Sequence, residues 1–244
     1  MRTYDKIRRK FHEGCADFHL IEDGDRILVA LSGGKDSLLL ARMLAERARL
    51  YKPRFSVEAA HVVMDNIPYE TERTYLQEFC NALHIPLHIL HSRFDDDPDA
   101  AAEGRDRRRR KTKCFLCSWN RRKTLFRFAE EQGFNKVALG HHQDDIITTW
   151  LLNVTYEGAN DTMRPLVAMR EYPLSIIRPL CLVQEDWIRE VAAAEGFEHQ
   201  KTPCPYETAT RRNDMNRIFH ELEALNPEAR FSLWRAMGMR EMKE

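Results

Sequence analysis

The run Ser32-Gly33-Gly34-Lys35-Asp36-Ser37 joins two segments of opposite periodicity, and that junction constrains the chain more than any other feature. Residues 26–31, Arg-Ile-Leu-Val-Ala-Leu, are almost continuously apolar, as expected of a parallel strand buried on both faces. From Asp36 to about Leu50 the apolar residues recur with helical spacing. A strand that turns through Ser-Gly-Gly into a helix presents backbone N–H groups to an anion, and the helix dipole adds partial positive charge there. Gly33 and Gly34 leave no Cβ to obstruct a phosphate, and Ser32 and Ser37 add hydroxyl donors. Asp36 would repel phosphate unless a divalent cation lay between them, so it is assigned to Mg²⁺. The Walker spacing is not met, so this is a phosphate loop of another kind.

The same alternation continues downstream. Strands are expected at Val57 to Met64, Leu87 to Leu90, Val137 to Leu139 and near Ser175 to Ile177. Helices are expected at Glu70 to Leu83, Leu116 to Ala129, Asp145 to Val154, Glu185 to Glu195 and in the tail after Arg211. This predicts an α/β fold: a Rossmann-like parallel sheet with helices on both faces, plus a helical C-terminal tail, binding its ligand at the strands' carboxyl ends. Residues 1–25 are read as an N-terminal helical segment, 26–203 as the catalytic domain, and 204–244 as a helical extension packed on it. Two stretches break the rhythm: Asp95 to Lys113, read as a mobile surface loop, and Asn160 to Tyr172.

A second polar cluster, Gly140-His141-His142-Gln143-Asp144-Asp145, follows the strand at 137–139. Its carboxylates could hold a metal–pyrophosphate or orient a substrate, and its histidines could bond phosphate or move protons. Asp144 and Asp145 would also serve as ordinary caps of the next helix.

Six cysteines occur in the 244 residues, and neither an apolar signal-peptide core nor a run of roughly 18 apolar residues is present. A cytoplasmic location without a membrane partner is therefore expected, where thiols stay reduced and metal or redox roles gain weight. Cys114 and Cys117 form a CxxC pair at the start of an expected helix, and Cys204 stands within Thr202-Pro203-Cys204-Pro205-Tyr206. Three thiolates suit a [4Fe–4S] cluster with one iron left open. Zinc with a fourth ligand from His199, His142 or Glu207, a persulfide-carrying thiol, and a purely structural pair are the other readings. Cys15, Cys80 and Cys181 have no such spacing and are expected to be buried. The net charge is zero, yet ten basic residues between Arg105 and Lys123 face only Asp106, a local field suited to nucleic acid.

Ser32 to Ser37 resembles the signature Ser-Gly-Gly-x-Asp-Ser of the N-type ATP pyrophosphatases, the PP-loop superfamily, at every fixed position. That superfamily has a similar His-x-x-Asp-Asp segment, matched by His141, Asp144 and Asp145. The resemblance implies ATP as cofactor, cleaved to pyrophosphate with AMP passed to a substrate. A broader similarity, to the tRNA 2-thiocytidine synthetases, runs from Asp17-Phe18 and Ile21 to Arg26 through the phosphate loop, Cys114 to Cys117 with Arg121-Arg122, Leu139 to Asp145, and Ile177 to Leu180, to Pro203-Cys204. It implies that Cys114, Cys117 and Cys204 hold a [4Fe–4S] cluster. It also implies that Asp36, Asp144 and Asp145 serve catalysis with them, and that a tRNA cytidine exchanges its 2-oxygen for sulfur. The partners implied are tRNA and a sulfur donor, either a cysteine desulfurase or sulfide, with homodimerisation left open. A tRNA-modifying ligase of the lysidine synthetase type, or an RNA-binding or redox protein with a degenerate nucleotide site, would share only part of this residue set.

Overall fold

The computed structural model describes residues 2–67, 72–93, 113–197 and 211–239. In chain order the elements are α1 (Thr3–Asp17), β1 (Arg26–Ala30), α2 (Lys35–Ala48), β2 (Ser56–Met64), α3 (Arg73–Leu83) and β3 (Leu87–Ser92). They are followed by α4 (Lys113–Glu131), β4 (Lys136–Ala138), α5 (Gln143–Leu152), β5 (Leu166–Ala168), β6 (Ser175–Ile177), α6 (Glu185–Ala194), α7 (Arg211–Leu225) and α8 (Ala229–Ala236). None of the described helices is long and apolar enough to cross a membrane.

The six strands form one sheet in the order β3-β2-β1-β4-β6-β5. Five run parallel as the alternation of strands and helices requires, with Arg26 beside Ser56 and Ile27 beside Lys136 in the central registers. β5 departs from the expected all-parallel sheet: it pairs antiparallel with β6, Leu166 against Ile177 and Ala168 against Ser175. It lies inside the 160–172 stretch, and the chain returns to β6 through a tight turn closed by the Met169 N–H donating to the Leu174 carbonyl at 3.0 Å. A hairpin needs no crossover helix, so this edge strand escapes the helix-and-strand rhythm, and three residues are too few to show alternation.

Both faces of the sheet are covered, because successive residues of β1 point to opposite sides. Ile27 and Val29 join a core with Ile7 and Phe11 of α1, Leu39 and Met43 of α2, and Ile188 of α6. Leu28 faces the other way, into a core with Leu125, Phe126 and Ala129 of α4 and Phe134. A third core holds the C-terminal helices down: Phe219 of α7 and Trp234 of α8 pack on Ile146 and Ile147 of α5 and on Leu182. Cys15, Cys80 and Cys181 are buried, as expected, and burial pushes their thiols up, to about 12 for Cys15 and about 11 for Cys80.

α4 begins three residues before the expected Leu116, which places the CxxC pair within its first turns. It runs antiparallel to the strands, so this end lies at their carboxyl edge, where Leu116 and Cys117 pack against Met64 and Ile67 just past β2. The side chain of Cys114, the arginines at 107–110 and Cys204 lie outside the described residues, as does most of the stretch read as a mobile loop.

Candidate active site

Three loops converge at the carboxyl ends of β1 and β4, where the strand order reverses direction across the sheet, the usual ligand crevice of such folds. The first is the phosphate loop. Gly33 adopts φ 88°, a left-handed conformation that disfavours a side chain, and Gly34 is extended as the cap residue before α2. Ser32 and Ser37 bond one another at 3.1 Å, and Ser37 Oγ donates to the Gly34 carbonyl at 2.9 Å. The two hydroxyls thus brace the loop from within.

The second loop, after β4, lies hard against the first. A Cβ on Gly140 would come within 3.2 Å of the Asp36 carbonyl carbon and the Ser37 nitrogen. Gly140→Ala is expected to displace the loop at a cost of about 1–3 kcal/mol, read as a lower Tm together with weaker ATP affinity. Its signal in the sequence was a glycine between a strand and a polar cluster, but the contact it permits is between segments a hundred residues apart.

Asp36 stands in the first turn of α2. Its Oδ1 is buried without a hydrogen-bond partner, and burial raises its carboxyl against the opposing pull of Lys35 and His142. Lys35 Nζ reaches both Asp36, at 3.3 Å, and Glu185 Oε1, at 3.1 Å. Among the described residues no three His, Cys, Asp or Glu side chains form a ready metal cage. A cation at Asp36 would be completed by phosphate oxygens and water, which is how Mg²⁺ is usually held beside a nucleotide.

The histidines of the second loop behave oppositely. His141 Nδ1 accepts the Nε–H of Arg178 at 3.2 Å, which leaves its Nε2 to carry the ring proton. Burial, then the Arg178 cation, pushes its pKa down to about 4. His142 is also buried, which alone would lower its pKa. The carboxylates of Asp144, Asp145 and Asp36, at 3.6, 3.4 and 3.9 Å from its ring nitrogens, reverse the sign and raise it. In an imidazole NMR titration, His141 is expected to stay neutral down to about pH 4, while the His142 midpoint lies above its ordinary 6.5.

Asp145 completes the capping box of α5, whose N-cap is His142, while Asp144 lies in its first turn without capping it, and both are gripped from outside the helix. Asp145 Oδ2 accepts the His142 backbone N–H at 3.1 Å, and its Oδ1 accepts from Arg212 at 2.6 Å. Asp144, 3% exposed, accepts the Glu185 N–H at 2.9 Å and Arg230 at 2.8 Å. Its burial would raise the carboxyl, but His142, Arg230 and the Glu185 amide together hold it well below the usual range. Arg212 belongs to α7, Arg230 to α8 and Glu185 to α6, and no local pattern had singled them out. A cavity of about 210 Å³ opens among Lys35, Asp36, His142, Asp145, Glu185 and Arg212, with the unbonded Oγ1 of Thr148 on its wall.

A parallel sheet with this loop after β1 and paired aspartates after the neighbouring β4 defines the PP-loop class of nucleotide-binding enzymes, and residues 3–222 match the PP-loop domain family. Similar relatives bear the name tRNA-cytidine(32) 2-sulfurtransferase. That of Bdellovibrio bacteriovorus is 33% identical over 235 residues, covering 95% of this chain and 87% of the relative. That of Anaeromyxobacter dehalogenans is 33% identical over 238 residues, covering 96% and 78%. The chain belongs to this tRNA-cytidine 2-sulfurtransferase family of PP-loop proteins. Its fold is shared with the U34-tRNA thiolase NcsA of Methanococcus maripaludis, solved with its [4Fe-4S] cluster (TM-score 0.73, 23% identity, 95% of this chain and 77% of that one).

Proposed function

We propose that this chain is an ATP-dependent tRNA sulfurtransferase that adenylates the 2-oxygen of a cytidine and replaces it with sulfur. The observation that carries the ATP half is Asp36 Oδ1, a buried and unbonded carboxylate oxygen at the mouth of a phosphate loop and beside a lysine. Within the protein that oxygen meets only the ion-pair contact of Lys35 at 3.3 Å and the ring of His142 at 3.9 Å, and a nucleotide-bound Mg²⁺ would give it a direct ligand.

In this reading the N–H groups of residues 32–37 and the start of α2 cradle the phosphates. Lys35, held between Asp36 and Glu185, is poised to turn toward negative charge as it develops on the departing pyrophosphate. His141 keeps an Nε2–H donor at neutral pH because Arg178 occupies its other nitrogen. Asp145 orients the His142 loop, and Asp144 is held ionised by Arg230. A carbonyl oxygen is a poor leaving group; once it carries AMP it departs with AMP, and sulfur takes its place on carbon.

The three-thiolate set Cys114, Cys117 and Cys204 fits a [4Fe–4S] cluster by its chemistry, and Cys117 packs beside Met64 and Ile67 just past the carboxyl end of β2. Such a cluster, when bound, would supply an open iron to present the sulfur, itself delivered by a cysteine desulfurase or as sulfide. The test is anaerobic purification followed by iron and labile-sulfide analysis and a thiolation assay with ATP and bulk tRNA. Iron and sulfide in equal amounts, thiolated cytidine, AMP and pyrophosphate are expected. ADP and phosphate as products, or thiolation by iron-free protein, would contradict the ATP or the cluster half respectively.

A further inference from the structure

The exposed face of α4 carries a feature that the nucleotide site does not use. Phe115 and Trp119, one helical turn apart, are 47% and 54% exposed, among the largest apolar surfaces on the described residues. Their rings lie parallel, 7° between planes, with centroids 6.5 Å apart. Trp119 is followed three and four positions on by Arg122 and Lys123, both exposed, so the aromatic pair continues into a basic edge on the same side of the helix. The opposite side of this turn, Leu116 and Cys117, is the one that packs on Met64 and Ile67. Leu116 and Cys117 meet Met64 at the carboxyl end of β2, so this turn of α4 stands at the same end of the sheet as the crevice.

We infer that Phe115 and Trp119 form a stacking ledge for unpaired bases of a tRNA loop, placed beside the cysteine pair so that the loop is splayed open at the point of sulfur transfer. The inference rests on the tRNA reading above and adds to it the surface that would select single-stranded RNA. Parallel, part-exposed rings flanked by cations are what an unstacked base and its phosphate require: a π-face receives the base, and Arg122 and Lys123 meet the backbone. The positive edge also disfavours a second copy of the same edge as occupant, because like charges would meet across the two-fold.

The experiment uses the anaerobically purified full chain. A tRNA anticodon stem-loop with a 2-aminopurine in its loop and a fully paired duplex of the same length are titrated into wild type, Trp119→Ala, Phe115→Ala/Trp119→Ala and Trp119→Phe. Stem-loop binding by wild type should quench the 2-aminopurine. Trp119→Ala should weaken stem-loop binding about tenfold and abolish the quench, the double variant should weaken it more, and Trp119→Phe should retain most of it. Duplex binding, Tm and iron content should stay as in wild type. Equal stem-loop affinity in all four proteins would overturn the ledge, as would a loss shared equally by the duplex. So would a change in sedimentation with RNA binding intact, which would assign the surface to a second copy. If wild type itself fails to bind the stem-loop, the tRNA reading falls and the ledge with it.

Discussion

Asp36→Asn is expected to lower ATP-dependent thiolation by about a thousand-fold or more while leaving Tm unchanged or slightly higher. The two halves of this result come from one feature. In the free protein Asp36 is a desolvated carboxylate whose buried Oδ1 has no hydrogen bond, and burial raises its pKa against the pull of Lys35. A carboxyl that binds its proton more tightly when folded favours folding most below its unfolded pKa, about 4, and opposes it as pH rises through the folded value. At neutral pH the ionised Asp36 therefore costs stability, and asparagine removes that cost. Lys35 keeps Glu185 as its partner, so the substitution does not orphan a cation. Thermal melts and AMP release measured on the same preparation check the pair of outcomes. A variant that loses stability along with activity would make Asp36 a structural residue instead.

Arg230→Met is expected to be the most destabilising single change at the site, by about 3–5 kcal/mol, or roughly 6–20 °C in Tm. Arg230 reaches Asp144 at 2.8 Å and Glu223 at 2.8 Å from within the packed end of α8, stacked over the ring of Phe219. Methionine retains the packing over Phe219 but leaves Asp144 charged and buried. The pH dependence follows from the sign of the shift: Asp144 is depressed, so its contribution is present above the unfolded carboxyl pKa and is lost as pH falls toward the folded value. Without Arg230 that loss should begin at a higher pH. Adding Asp144→Asn to Arg230→Met should restore part of the stability, because a neutral amide can still accept the Glu185 N–H. A coupling energy of about 1–3 kcal/mol in the double-mutant cycle is expected, measured by denaturant unfolding.

The phosphate loop, the five parallel strands, the helices over both faces and the family membership were legible because each has a local cause. A buried strand must be apolar, a helix must repeat near 3.6, and a loop that admits phosphate must be built of Gly and Ser. β5 was missed because three residues paired through a hairpin carry no periodicity of their own. Asp144 and Asp145 were legible as carboxylates, but not their division of labour. The same two residues could cap a helix, hold a metal or anchor a salt bridge, and which of these occurs depends on what the rest of the chain brings to them.

The sequence by itself therefore determined the donors: a backbone cradle, a carboxylate in the first turn of α2, two histidines, two aspartates and three cysteines. Only the tertiary structure decided their state. Arg178 arrives from just past β6 to make His141 neutral, three carboxylates converge to raise the proton affinity of a buried His142, and Arg212 and Arg230 return from the C-terminal helices to hold Asp145 and Asp144. Charge and proton affinity are set by neighbours within a few ångströms and by exclusion of water, and those neighbours come from far along the chain, Arg230 standing 86 residues from Asp144.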